Sequence, residues 1–193
     1  MGRVIVGAAA GAVVMFILGF LFWGSPLGGL ATGSLADAQA ADVQAALAAN
    51  ISETGAYEVP VDGSQAQKAM YARGPIAFIQ YTADGSGNPT PTDMIAGLIH
   101  MYISALLIGF ALLQVSYHVR EFSTRAAIVV FFATGAGVYM TLGAPIWAGH
   151  GWNYYIYSFV TDVIGLVAAG LIIARWFLPR DWDGGERVGA EAE

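Results

Sequence analysis

The stretch Met94–Val119, MIAGLIHMYISALLIGFALLQVSYHV, decides the fold. It exceeds the roughly 20 mainly apolar residues that a helix needs to cross the hydrocarbon core of a bilayer. One imidazole, His100, stands inside its apolar part, and the stretch runs into the basic residues His118, Arg120 and Arg125. Three other apolar runs match it in kind: Val4–Trp23, Ala126–Trp147 and Tyr154–Phe177. The pattern predicts an all-α transmembrane fold, a four-helix membrane bundle with a small α/β extracytoplasmic cap between helices 1 and 2. The expected divisions are 1–23, 93–119, 126–147 and 154–177 for the four spans, 24–92 for the cap and 178–193 for a tail.

Composition agrees with that division. Hydrophobic residues make up 56% of the chain and charged residues 11%, against about 45–50% and about 25% in ordinary soluble domains. A formal net charge of −6 argues against nucleic acid as a partner, because neutralising phosphates takes clustered Lys and Arg. With no cysteine in the chain, disulfides, thiolate metal sites and cysteine nucleophiles are excluded.

Val4–Trp23 follows a single Arg3, and Ala38-Gln39-Ala40 resembles a signal-cleavage site. Its apolar run is nevertheless longer than the 7–15 residues of a typical signal h-region, so it reads as a retained first span. Gly7 and Gly11 form a small-xxx-small face for close helix packing. Phe20, Phe22 and Trp23 supply an interfacial anchor.

Within 24–92, Ser34 with Asp37 predicts the start of an alanine-rich helix ending near Asn50. Tyr57–Val61 alternates like a short strand, which Pro60 confines to an edge. Ser64 and Gln67 form a capping box, and Gly74 should stop the helix that follows. Pro75–Thr82 reads as a second strand, and Thr92 as the cap of the second span. The whole segment reads as a compact cap packed on the membrane surface. In the third span a break is expected near Pro145. Trp152, Tyr154, Tyr155 and Tyr157 form half of an aromatic belt.

Orientation follows from the basic residues. Arg3, Arg120, Arg125, Arg175, Arg180 and Arg187 fall on one side and only Lys68 and Arg73 on the other, which predicts cytoplasmic termini and a periplasmic 24–92 segment.

Asn50–Tyr57 (NISETGAY) and Gly74–Tyr81 (GPIAFIQY) resemble segments of a group of small bacterial four-helix inner-membrane proteins. That group carries an N-[IL]-x-E-x-G-x-Y type segment and a GP…Y segment in its extracytoplasmic loop. The Trp152-Asn153-Tyr154-Tyr155 run fits the same pattern. The resemblance implies the topology just described and a bacterial inner membrane, and it contributes no catalytic residue.

Chemistry is sparse. Asp162 lies inside the fourth span, roughly 12 Å from its aromatic start at 1.5 Å per residue, and an intramembrane acid ordinarily faces protein or water. His100, Ser104, Tyr139 and Ser158 fall at comparable depth, so an inward-turned bundle would gather these five in its outer half. The plain reading is a hydrogen-bonded core that sets helix register; the sharper one is a ligand or buried polar cluster. A proton relay is disfavoured because a single acid lacks a chain of partners. His150 sits in a glycine-flanked loop and His118 at the opposite end, so bis-histidine haem ligation is not expected. No cofactor and no metal are expected, a haem held through His100 being the alternative. There is no HExxH, no phosphate-binding glycine loop and no G-x-S-x-G.

The leading functional expectation is a non-catalytic accessory or scaffolding subunit of a larger bacterial membrane complex, respiratory or photosynthetic. Its partners would be the lipid bilayer and other membrane-protein subunits, docked on the Gly7/Gly11 face and on the cap around Tyr57 and Phe78. The alternative is a membrane protein that binds a small ligand (lipid, quinone or haem) at the outer-half polar cluster.

Overall fold

The computed structural model describes residues 1–85 and 89–179. The expected tail beyond Pro179, with Arg180 and Arg187, lies outside the described residues. The chain is mostly helical with one two-stranded sheet. Four helical stretches are long and apolar enough to cross a membrane: Gly2–Trp23, Pro91–Ser116, Phe122–Ala148 and Trp152–Phe177. These four are compatible with a membrane helical bundle. The chain divides into two units, Met1–Thr32 with Pro91 onward, and Gly33–Thr90.

In the first unit, α1 (Gly2–Trp23) lies against both α4 (Pro91–Ser116) and α7 (Trp152–Ile172). α7 also packs on α5 (Phe122–Thr141), whereas α4 and α5 make no close packing with each other. Small residues set these crossings. A Cβ on Gly7 would stand 2.6 Å from Phe177 Cγ, and one on Gly170 2.5 Å from Val129 Cγ1. At Gly11 the neighbours are the methyls of Ala169 and Ala105, 3.1 and 3.5 Å from a built Cβ. Close van der Waals approach of this kind is the main packing force once lipid removes the hydrophobic drive between helices. The Gly7/Gly11 face is therefore occupied by the chain's own helices and is not open for docking another protein.

The buried cluster includes Val4, Ala8, Leu112, Leu113, Val129 and Ile173. It gathers at the end of the unit where α1 begins, α4 stops and α5 starts. The first half of α4, Pro91 to Ser104, has no buried residue.

Several expected bounds shift for local reasons. α4 begins at Pro91 rather than after Thr92, since proline's missing N–H is harmless in a first helical turn. It stops at Ser116, so 117–119 is not helical. α5 starts at Phe122, which brings Arg125 inside the helix. The expected break near Pro145 falls at Leu142, after Thr141. The ring of Pro145 would clash with the carbonyl four residues back, which belongs to Thr141. The chain restarts as α6 (Gly143–Ala148), with Pro145 in its first turn. α7 begins at Trp152 and passes at Ile173 into a π-helical turn ending at Phe177.

The second unit contains α2 (Asp37–Asn50), β1 (Gly55–Val59), α3 (Gln65–Arg73) and β2 (Ala77–Tyr81). α2 starts at Asp37, not Ser34: Gln39 reaches back to accept from the Ala36 N–H (3.3 Å). The cap of α3 is reciprocal, with the Gln67 N–H donating to Ser64 Oγ (3.2 Å) and the Ser64 N–H to Gln67 Oε1 (3.1 Å). Gly74 closes α3 at φ 66°, a conformation that costs glycine nothing. β1 and β2 are antiparallel, with Gly55 opposite Tyr81, Tyr57 opposite Ile79 and Val59 opposite Ala77. The NISETGAY and GPIAFIQY segments are thus hydrogen-bonded partners, and the Ala83 N–H donating to Thr54 Oγ1 (3.0 Å) extends their join.

The unit is compact, as expected, yet no described residue of it is buried. The physical reason is in α2, DAQAADVQAALAAN, whose only large apolar side chains are Val43 and Leu47. Methyl groups alone bury too little surface to offset the entropy of ordering the chain.

Candidate functional site

Two ends and one groove of the first unit carry its chemistry. At one end, Trp23 closes α1 and meets the start of α7. Its ring lies 5.8 Å from that of Tyr154 and 5.1 Å, edge-on, from that of Tyr157. The Tyr157 hydroxyl donates to the Phe22 carbonyl (2.6 Å), satisfying one of the unpaired carbonyls of the α1 C-terminus. Asn153 Nδ2 donates to the Ala31 carbonyl (3.1 Å) and holds the connector after the 3₁₀ turn Pro26–Leu30. Tyr155 stands 5.3 Å edge-on from Tyr154, and its hydroxyl pairs with His150 Nδ1 at 2.8 Å. The aromatic run reads from sequence as an interface belt; folded, it is also the clasp between α1 and α7.

At the other end, Arg125 is only 3% exposed. Its Nε donates to the Val119 carbonyl (2.7 Å), and its Nη2 to the carbonyls of Ser116 (3.3 Å) and Pro179 (2.9 Å). One guanidinium thus joins the end of α4, the turn after it, α5 and the chain beyond α7. Carbonyls at a helix C-terminus carry partial negative charge and suit a cation. From the sequence alone Arg125 reads as a loop charge. A usable signal was present, because Arg125, Val129, Ala133 and Gly137 repeat every four residues and all four are buried. Nearby, the Arg175 guanidinium lies 5.5 Å from the centre of the Phe122 ring.

Between α4 and α5 the missing helix contact leaves an apolar groove of about 400 Å³. Ile108 and Leu112 form one wall, Phe132, Ala133 and Ala136 the other, and Leu166 of α7 its floor. The five residues expected to gather in an interior polar cluster lie near the end of this groove toward Trp23, but do not form a hydrogen-bonded core. Ser158 is buried. Ser104 is half-buried and donates to the His100 carbonyl of its own helix (3.0 Å). His100 and Asp162 are exposed, and Tyr139 is 86% exposed. Helical spacing accounts for their positions: Asp162 is one turn before Leu166, Ser104 one turn before Ile108, and Tyr139 three residues after Ala136. An interior cluster would require α4 and α5 to close on each other, and they remain apart.

In the second unit, Tyr57 is half-buried with its hydroxyl donating to the Glu53 carbonyl (2.8 Å), and Phe78 is 51% exposed. A groove of about 750 Å³ runs between α2 and β2, with Leu35, Val43, Leu47, Ile79 and Tyr81 in its walls. Among the described residues, no three of His, Cys, Asp or Glu come together as a metal site would require.

The fold and its ends define the class: a chain with four helices fit to cross a membrane, as in a multi-pass membrane protein. No family model, curated protein or solved structure matches the chain.

Proposed function

We propose that this protein is a non-catalytic subunit of a larger bacterial membrane complex, seated in the inner membrane with cytoplasmic termini and residues 24–92 in the periplasm. The observation that carries this reading is the coreless second unit. It has two capped helices and an antiparallel strand pair, yet none of its described residues is buried, and Leu35, Val43, Met70 and Phe78 are all exposed. Ordered elements with uncovered apolar side chains are what a segment presents when a partner completes its core. The α2–β2 groove is the natural seat for that partner, since its walls carry the unit's larger apolar residues. Exposed His100 on the apolar α4 supports the same reading, because such a group usually faces protein or water. The likeness of the NISETGAY and GPIAFIQY segments to small four-span inner-membrane proteins supports the orientation.

The test is migration of the affinity-tagged chain from membranes solubilised in mild detergent. Wild type should run within a larger assembly, and Leu47→Glu with Ile79→Glu should release it while the protein still accumulates in the membrane. A wild-type chain that always migrates alone overturns the proposal.

A further inference from the structure

We propose that the groove between α4 and α5 binds a lipophilic monocation, an amine or quaternary ammonium carried on an apolar body, with Asp162 as its counter-ion. The inference does not depend on the subunit proposal, because every residue in it belongs to this chain's first unit. The groove supplies the apolar half. Its volume of about 400 Å³ lies within the roughly 300–1,000 Å³ of small-molecule sites. Its walls are aliphatic and aromatic side chains of α4 and α5, with Leu166 as the floor.

The polar half lies beyond Leu166. Close contacts set the direction: Gly170 meets Val129 while Gly137 meets Val163 and Phe159, so rising numbers on α5 match falling numbers on α7. Asp162, one turn before Leu166, and Tyr139, three residues after Ala136, therefore both lie outward from the groove toward the Trp152 end. Ser104 and then His100 follow Ile108 up α4 at four-residue intervals toward the same end, since Gly11 meets Ala105 while Gly19 approaches Met101.

The character of this mouth selects the ligand. Asp162 is its carboxylate, and among the described residues no hydrogen bond or ion pair reaches it. A carboxylate on an apolar helix gains most from a cation that brings its own apolar body, since both partners then leave water together. Phe132 and Tyr139 add aromatic faces, which favour quaternary ammonium groups. A phospholipid headgroup is a poor fit, because its phosphate would meet this carboxylate, and the described arginines of the unit (Arg3, Arg120, Arg125 and Arg175) lie at the opposite end.

The experiment measures binding of radiolabelled tetraphenylphosphonium to the full-length chain in phosphatidylcholine nanodiscs, with tetraphenylborate as an anion of the same shape. Wild type should bind the cation saturably and the anion only as empty nanodiscs do. Asp162→Asn should weaken cation binding at least tenfold and Asp162→Glu should retain it. Ala136→Trp, which fills the groove at an exposed position without touching the carboxylate, should weaken it as well. Wild-type binding no greater than that of empty nanodiscs, saturable binding of the borate, or undiminished affinity in Asp162→Asn each overturns the proposal.

Discussion

Arg125 is the residue on which one end of the helical unit turns. It is a buried cation that meets no carboxylate among the described residues and donates to three carbonyls, those of Ser116, Val119 and Pro179. A buried hydrogen bond to a charged group contributes about 1.5–3 kcal/mol, and stranding a buried acceptor costs about 1–3 kcal/mol. Arg125→Gln cannot span three acceptors, so it should destabilise the protein by roughly 2–4 kcal/mol on that scale. Arg125→Lys should recover only part, because an ammonium lacks the planar fork of a guanidinium. Unfolding in a graded mixture of mild detergent and dodecyl sulfate checks both variants. Equal stability of Arg125→Gln and wild type would falsify the clip. Asp162 is the opposite case, an exposed carboxylate that no hydrogen bond or ion pair reaches among the described residues.

At the scale of the element, small residues decide which helices touch. α7 presents Gly165 and Ala169 on one face and Gly170 on another, and α1 and α5 settle against it through Gly11 and Val129. Gly170→Leu would drive a side chain into Val129, where a built Cβ already stands 2.5 Å away. Overpacking of this kind costs about 1–3 kcal/mol. The same detergent titration should show that loss, and a Val129→Ala second substitution should return part of it. No rescue would mean that the strain lies elsewhere. Element by element, the local signals were strong. Ser64, Gln67 and Gly74 bound α3 as their chemistry requires, and Pro145 displaced the helix break to Leu142 by acting on the carbonyl behind it.

For the whole molecule, the proposed orientation makes a direct prediction. A reporter active only in the periplasm should work when inserted after Gly85 and stay silent when fused after Glu193. The reverse pattern would invert every statement about sides.

The four apolar stretches, the helix stops at Asn50 and Gly74 and the two strand segments could be read from the sequence, because each depends on residues near one another in the chain. Apolar length, side-chain caps and proline geometry act within a few residues. Three other features belong to the tertiary structure alone. Arg125 turns inward, α4 and α5 stay apart with a groove between them, and the second unit closes without a core. Each depends on which of several small-residue faces meets which, and glycine and alanine on many sides of a helix permit more than one choice. The inward turn of Arg125 could be suspected from its four-residue spacing with Val129, Ala133 and Gly137. Its three acceptors lie up to 54 residues away in the chain, and only the packed helices bring them within reach.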